Sequence, residues 1–230
     1  MTILRYDLVG RDATRPFSPH CWKATMALAH KGLEISAVPT RFLEVPRVEG
    51  GASKLVPVIR DGETVVADSF AIALYLDETY PDRPSLFGGE GGKAMARFIE
   101  RWSQLTIHPY VTTAAIMDLY AMQDTENAAY FRQSREQRLG KSLEEVMAAR
   151  DAGLGNFRAS LEPLRSMFAY QPFIGGDSPL FADYIVFGAL QWARVASPYP
   201  LLDDHDVVAQ WFARCLDLHG GLGRTVAAAA

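Results

Sequence analysis

Strand-like signals in this chain stop at Ala67, and beyond the glycine-rich run Gly88-Gly89-Glu90-Gly91-Gly92 every periodic segment reads as helix. A chain divided in this way predicts a small mixed-sheet unit followed by a helical one, not a single alternating α/β sheet. In the first part, Ile3 to Val9 reads as a strand, Pro19 to Gly32 as a helix and Leu33 to Pro39 as a second strand. A polar, irregular stretch from Thr40 to Ser53 follows. Val56 to Arg60 and Thr64 to Ala67 then flank Asp61-Gly62-Glu63, a hairpin signature, and a helix runs from about Ser69 to Tyr80. The order is βαβ, irregular segment, ββα, which assigns residues 1–82 to one α+β domain. Pro81 to Gly92, with Pro81 and Pro84, reads as the boundary, and residues 93–230 form an all-α domain. Its predicted helices are Lys93 to Met122, Glu126 to Ala152 with internal irregularity, Asn156 to Ala169, Phe181 to Val195 and His205 to Leu218. The alanine tail from Ala227 reads as frayed.

Composition narrows the classes of function. With 49% hydrophobic residues in 230, the chain has ample material for a core. The net charge is −4 and no basic block occurs, which argues against a nucleic-acid partner. The first residues lack a signal-peptide pattern and no apolar run approaches the ~20 residues of a membrane span, so a cytoplasmic protein without a membrane partner is expected. Cys21 and Cys215 lie far apart, and His20, His30, His108, His205 and His219 are scattered without ligand spacing, so neither a disulfide framework nor a metal site is expected.

The chemistry-bearing stretch is Arg15-Pro16-Phe17-Ser18-Pro19-His20-Cys21-Trp22-Lys23. Ser18 suits an N-cap, Pro19 the first helical position, and Trp22, Met26, Ala29 and Leu33 continue one face. Free backbone N–H groups and the helix dipole at such a start stabilise an anion, a thiolate included. Ser-Pro-His-Cys also has the spacing of the Cys-Pro-x-Cys motif of thioredoxin-like redox domains, with serine in place of the attacking cysteine. A hydroxyl cannot exchange disulfides, but it can hydrogen-bond the thiolate of a bound cofactor; the plainer alternative is a helix cap alone. Val56-Pro57 opens a strand, where a cis bond would leave backbone groups open to a peptide-like ligand and a trans bond would make an ordinary strand edge. Asp68-Ser69 precedes a helix, with Ser69 as its cap, and can either hold an amino-acid head group or only cap.

Taken together, these motifs resemble the cytosolic glutathione transferase superfamily, over nearly the whole chain. Pro16-Phe17-Ser18-Pro19, Trp22-Lys23 and Lys31-Gly32 resemble its fungal Ure2p-like A class. Tyr75-Leu76-Asp77-Glu78-Thr79-Tyr80-Pro81-Asp82-Arg83-Pro84, Ser134-Arg135-Glu136-Gln137, Gly175-Gly176-Asp177 and Phe181-Ala182-Asp183-Tyr184 resemble the bacterial β-aryl etherases. The resemblance implies a thioredoxin-like N-terminal domain that binds glutathione as co-substrate, an all-helical domain completing the electrophile site, and a homodimer. Ser18 would stabilise the glutathione thiolate, a cis Val56-Pro57 would pair with the cysteinyl part, and Asp68 and Ser69 would hold the γ-glutamyl end. The implied activity is transfer of glutathione to a hydrophobic, aromatic small molecule. Reductive cleavage of β-aryl ethers, a non-catalytic phenolic- or glutathione-binding role and a redox role through Cys21 are the alternatives.

The chain departs from the family pattern in three places. Leu55, not a basic residue, precedes Val56-Pro57, leaving Lys54, Arg41 or Arg47 for the glycyl carboxylate. Leu180 stands where the family has a capping Ser, Thr or Asn, so either Ser178 caps or Asp183 has another partner. Cys21 takes the second place of the ancestral redox pair. The electrophile is expected between Ser18 and the first long helix of the helical domain, against Trp22, His108, Tyr110 and Tyr120, with Trp102 and Met117 nearby.

Overall fold

The computed structural model describes residues 2–229. Strand β1 (Ile3–Leu8) leads through helix α1 (Pro19–His30) into β2 (Ile35–Thr40), which pairs parallel to β1. A 3-10 segment (Val45–Gly50) follows, then the hairpin β3 (Val58–Asp61) and β4 (Thr64–Ala67), then α2 (Ser69–Thr79). The sheet order is β2-β1-β3-β4, with β3 antiparallel to both β1 and β4. Gly62 takes φ +58° at the first of the two residues joining β3 to β4, where a Cβ would be strained. This is the thioredoxin-like βαβ-ββα domain.

The helical part comprises α3 (Glu90–Ala121), α4 (Thr125–Leu139), α5 (Leu143–Ala148), α6 (Arg150–Ser160), α7 (Glu162–Phe168), α8 (Phe181–Ala196) and α9 (Val207–Gly221). The expected long helix from Glu126 to Ala152 is three. Gly140 ends α4 in the left-handed region at φ +69°, and Ser142 and Glu145 form a capping box that starts α5 afresh. The expected helix from Asn156 to Ala169 also divides, with Pro163 in the first turn of α7. In α9 the N-cap is Asp206, and helical geometry breaks at Leu218.

The boundary region is less of a linker than its composition implied. Gly88 and Gly89 make the turn at positive φ, but Gly91 and Gly92 lie inside the first turn of α3. A Cβ on Gly92 would sit 1.8 Å from the carbonyl oxygen of Phe87, so glycine is required there by close approach, not by flexibility. Leu86 N–H donates to Asp77 Oδ1 at 2.8 Å, and Phe87 packs against Phe70 and Phe181. One continuous hydrophobic core therefore spans both domains. The tail is also held, contrary to expectation: Ala227 accepts from Arg15 at 3.2 Å and Ala229 N–H donates to the Arg194 carbonyl at 2.9 Å. Ala230 lies outside the described residues. Among those residues no helix is long and apolar enough to cross a membrane.

Candidate active site

Strand register brings the candidate residues to one edge of the sheet. Tyr6 of β1 pairs with Val58 at the start of β3, which pairs with Ala67 at the end of β4, while Leu8 pairs with Thr40 at the end of β2. The loop leading to Ser18, the Val56-Pro57 peptide, Asp68 and Arg41 therefore all emerge at the same end.

Three contacts fix the loop before Ser18. Arg15 donates through Nε to the Val195 carbonyl at 3.1 Å, Trp22 Nε1 donates to the Pro16 carbonyl at 3.1 Å, and Phe17 N–H donates to the Leu8 carbonyl at 3.1 Å. Ser18 is the N-cap of α1, with extended backbone angles, and its Oγ accepts from Cys21 N–H at 3.3 Å. That acceptor role leaves the hydroxyl hydrogen free to donate. Pro19 has no N–H, so His20 carries the remaining open donor of the first turn.

The Val56–Pro57 peptide is cis. Asp68 N–H donates to the Pro57 carbonyl at 3.2 Å, whereas among the described residues the Val56 N–H and C=O take no protein partner. Asp68, not the expected Ser69, caps α2. It sits at φ +78°, and its Oδ1 accepts from Phe70 N–H at 2.9 Å and Ala71 N–H at 3.0 Å. Ser69 is the first helical residue and is buried, so its contribution is a backbone N–H at the positive end of α2. Of the three basic residues, Arg41 turns to Asp124, the N-cap of α4, at 3.5 Å and lines a groove of about 620 Å³ with Arg47 and Asn127. Lys54 is exposed and makes no ion pair among the described residues.

The aromatic side chains expected around the electrophile divide. Trp22 is 3% exposed and meets Phe187 edge-on at 6.0 Å, so it is core and a support of the Ser18 loop, not a wall of the site. Tyr110 stacks on Phe157 at 4.4 Å and donates to the Arg150 carbonyl at 2.6 Å, which commits it to packing α3 on α6. The Arg132 guanidinium lies 4.7 Å over Tyr120, tying α3 to α4. His108 does face the start of α1: its ring is 5.2 Å from His20 and 5.8 Å from Trp192. Burial and the Lys23 charge hold His108 down to about 4, and the same causes hold His20 well below the usual imidazole range. His20 was not among the expected site residues. Its spacing from Ser18 is visible in the sequence, but its orientation toward α3 is not.

Cys21 is buried, and burial, reinforced by Asp7, pushes its thiol up to about 12. Such a thiol supplies little thiolate near neutrality, which weighs against the redox alternative. Asp183 resolves the departure at Leu180. Buried in α8, it accepts from Ile174, Gly175 and Leu180 N–H at 2.7, 2.9 and 3.0 Å and from Trp211 Nε1 at 3.0 Å. It organises the preceding loop without a side-chain cap on the helix. Among the described residues no three His, Cys, Asp or Glu side chains converge as a metal site.

A serine at the mouth of α1, a backbone left open by a cis-proline and a helix start after β4, all carried by a thioredoxin-like domain, are the groups that a peptide-like thiol would need. Comparison with known proteins agrees. Residues 13–84 match the glutathione S-transferase N-terminal domain family and residues 94–215 the glutathione S-transferase C-terminal domain family, so the chain belongs to the glutathione S-transferases, with glutathione as co-substrate. The glutathione S-transferase-like protein ustS of Aspergillus flavus is 26% identical over 79% of this chain and 75% of its own. The crystal structure of glutathione transferase GSTFuA3 from Phanerochaete chrysosporium superposes with a TM-score of 0.71 at 28% identity, covering 96% of this chain and 92% of that one. A Ceriporiopsis subvermispora glutathione S-transferase, crystallised in complex with glutathione, gives a TM-score of 0.80 at 23% identity, over 95% and 96% of the two chains.

Proposed function

We propose that this protein is a glutathione transferase in which Ser18 stabilises the glutathione thiolate for attack on a hydrophobic, aromatic electrophile. The observation that carries this reading is the position of Ser18: an N-cap whose hydroxyl retains a donor, at the same sheet edge as the unpaired Val56 backbone groups. The Val56 N–H and C=O would pair with the cysteinyl residue, the free N–H groups of α2 with the γ-glutamyl carboxylate, and the unengaged oxygen of Asp68 with its ammonium. Lys54 and Arg47 are the cations left for the glycyl carboxylate, since Arg41 faces Asp124.

Chemically, the thiolate forms a carbon–sulfur bond as the leaving group departs with the electron pair of the bond it breaks. The Ser18 hydroxyl and the start of α1 favour the ionised sulfur, and a shift of one to two pKa units corresponds to about 1.4–2.8 kcal/mol. The serine acts mainly by increasing the fraction of thiolate at neutral pH. The protein is proposed to work as a homodimer.

Calorimetric titration with glutathione, together with the ultraviolet thiolate absorbance of the complex against pH, tests the reading. The wild type should bind glutathione with a thiol pKa below the ~8.5 of a free cysteine, and Ser18→Ala should raise that value by about one to two units while binding persists. An unchanged thiol pKa in the variant would leave Ser18 as a helix cap only.

A further inference from the structure

The loop from β1 to Ser18, the last turn of α3 and the end of α8 enclose a cleft of about 420 Å³, in the size range of small-molecule sites. Its walls are fixed. Arg11 N–H donates to the Met122 carbonyl at 2.9 Å, and a Cβ on Gly10 would sit 2.2 Å from the same oxygen, so the loop lies directly on α3. Met122 and Val195 give the cleft apolar surface, while Arg11, Asp12, Arg15 and Asp118 line it with charge.

These four charged groups are held apart from one another. Arg11 donates through Nη2 to the Ala121 carbonyl at 2.9 Å, and Arg15 through Nε and Nη2 to the Val195 and Ala227 carbonyls at 3.1 and 3.2 Å. Asp118 accepts from Ser197 Oγ at 2.5 Å, and Asp12 Oδ1 accepts from the N–H and Oγ1 of Thr14 at 2.9 and 2.7 Å. Every anchor is a neutral group, and among the described residues none of the four makes an ion pair. Each guanidinium keeps N–H donors to spare and each carboxylate an unengaged oxygen. Two cations and two anions around one cleft match a ligand that carries both signs, whereas a lone carboxylate or a lone amine would meet two like charges. Arg15 precedes Ser18 by three residues, so their Cα atoms are at most about 11 Å apart, a gap that one para-substituted aryl ring bridges.

We infer that this cleft holds the charged end of a zwitterionic second substrate, an aryl compound with an α-amino-acid group. Its carboxylate lies on Arg11 and Arg15, its ammonium on Asp118 and Asp12, and its ring on Met122 and Val195. The inference rests on the transferase reading and gives its electrophile a recognition group. In the transfer step the glutathione sulfur bonds to a benzylic carbon at the far end of the ring, and the leaving group departs with the bonding pair. The charged contacts are remote from the reacting atoms and equal in the bound substrate and the transition state, so they act on KM more than on kcat.

Three benzylic bromides on one skeleton test it. para-(Bromomethyl)phenylalanine carries both charges, para-(bromomethyl)hydrocinnamate the carboxylate alone and para-propylbenzyl bromide neither. Wild type, Arg11→Gln and Asp118→Asn are compared by kcat/KM for all three, with glutathione binding followed by calorimetry. The wild type should favour the zwitterion over the propyl compound by about 10- to 100-fold, mainly through KM. Arg11→Gln should lower that ratio about tenfold, and Asp118→Asn should lower the ratio of zwitterion to hydrocinnamate by a similar factor. Parity of zwitterion and hydrocinnamate in the wild type, or ratios that neither variant moves, overturns the assignment while leaving the transferase reading intact. A second equivalent of glutathione on the wild type, lost in Arg11→Gln, would give the cleft to glutathione itself and overturn it as well. Failure of the wild type to bind glutathione removes both.

Discussion

Gly188 of α8 lies directly against Pro19 in the first turn of α1, where a Cβ would sit 2.4 Å from the Pro19 carbonyl oxygen. The helical domain thus supports the turn that carries Ser18 through a backbone contact that tolerates no side chain. Gly188→Ala should destabilise the fold by about 1–3 kcal/mol in urea unfolding, the cost of overpacking exceeding the ~1 kcal/mol gained in helix propensity. Calorimetry should also find weaker glutathione binding, since the displaced element is α1.

Asp183 is the acceptor for three backbone N–H groups and one indole, all buried with it. Asp183→Ala leaves those donors without partners and should cost about 3–5 kcal/mol in urea unfolding, more than any loss from a missing N-cap at Leu180. A loss below about 1 kcal/mol would mean that the loop finds other acceptors.

Both cysteines are buried free thiols, Cys21 pushed up to about 12 and Cys215 higher still by burial. An aromatic disulfide reagent at pH 8 should find neither in the native protein and both in denaturant, with native labelling proceeding only as fast as the structure opens. Rapid labelling of one thiol in the wild type, lost in Cys21→Ala, would restore a redox role for this residue.

These cases also mark where sequence reading stopped. The strands, α1 with Ser18 as its cap and the hairpin were legible because each is set by neighbours a few residues away, whereas the cap of α2 fell on Asp68 and not Ser69 and the cis Val56-Pro57 bond was implied only by the resemblance. Trp22, Tyr110 and Tyr120 were assigned to the electrophile site on residue type, yet their orientations are set by Phe187, Phe157 and Arg132, which only the packed helices bring near. Gly91 and Gly92 read as linker by composition but belong to α3, and at Gly92 the Phe87 carbonyl comes too close for a side chain. His20 gained meaning only when α3 placed His108 opposite it.

The exposed face of α3 bears on the proposed homodimer. Met95, Phe98 and Leu105 are exposed, Phe98 by 66%, and with the half-buried Trp102 they recur every three or four residues, as one helical stripe does. Sedimentation at micromolar concentration should give a dimer of the 25.4 kDa chain, and Phe98→Glu should shift it toward monomer. A monomeric wild type would remove the homodimer from the proposal.

Acid should weaken this fold before its carboxylates titrate. Burial first, then Lys23, keeps His108 at about 4, so its folded value lies below the 6.5 of the open chain. Between those values the unfolded chain takes up a proton that the folded protein refuses, and stability falls as pH falls. For His108 alone the loss from pH 7 to 5 is about 2 kcal/mol. His20 and His219 shift the same way, mainly through burial, and add to the slope. Urea unfolding across this range should therefore show a declining midpoint, and His108→Gln should flatten part of the decline, although it costs some stability at pH 7. A wild-type midpoint constant from pH 7 to 5 would mean that the buried histidines accept protons as readily in the folded protein as in the open chain, through an opening at the α1–α3 contact.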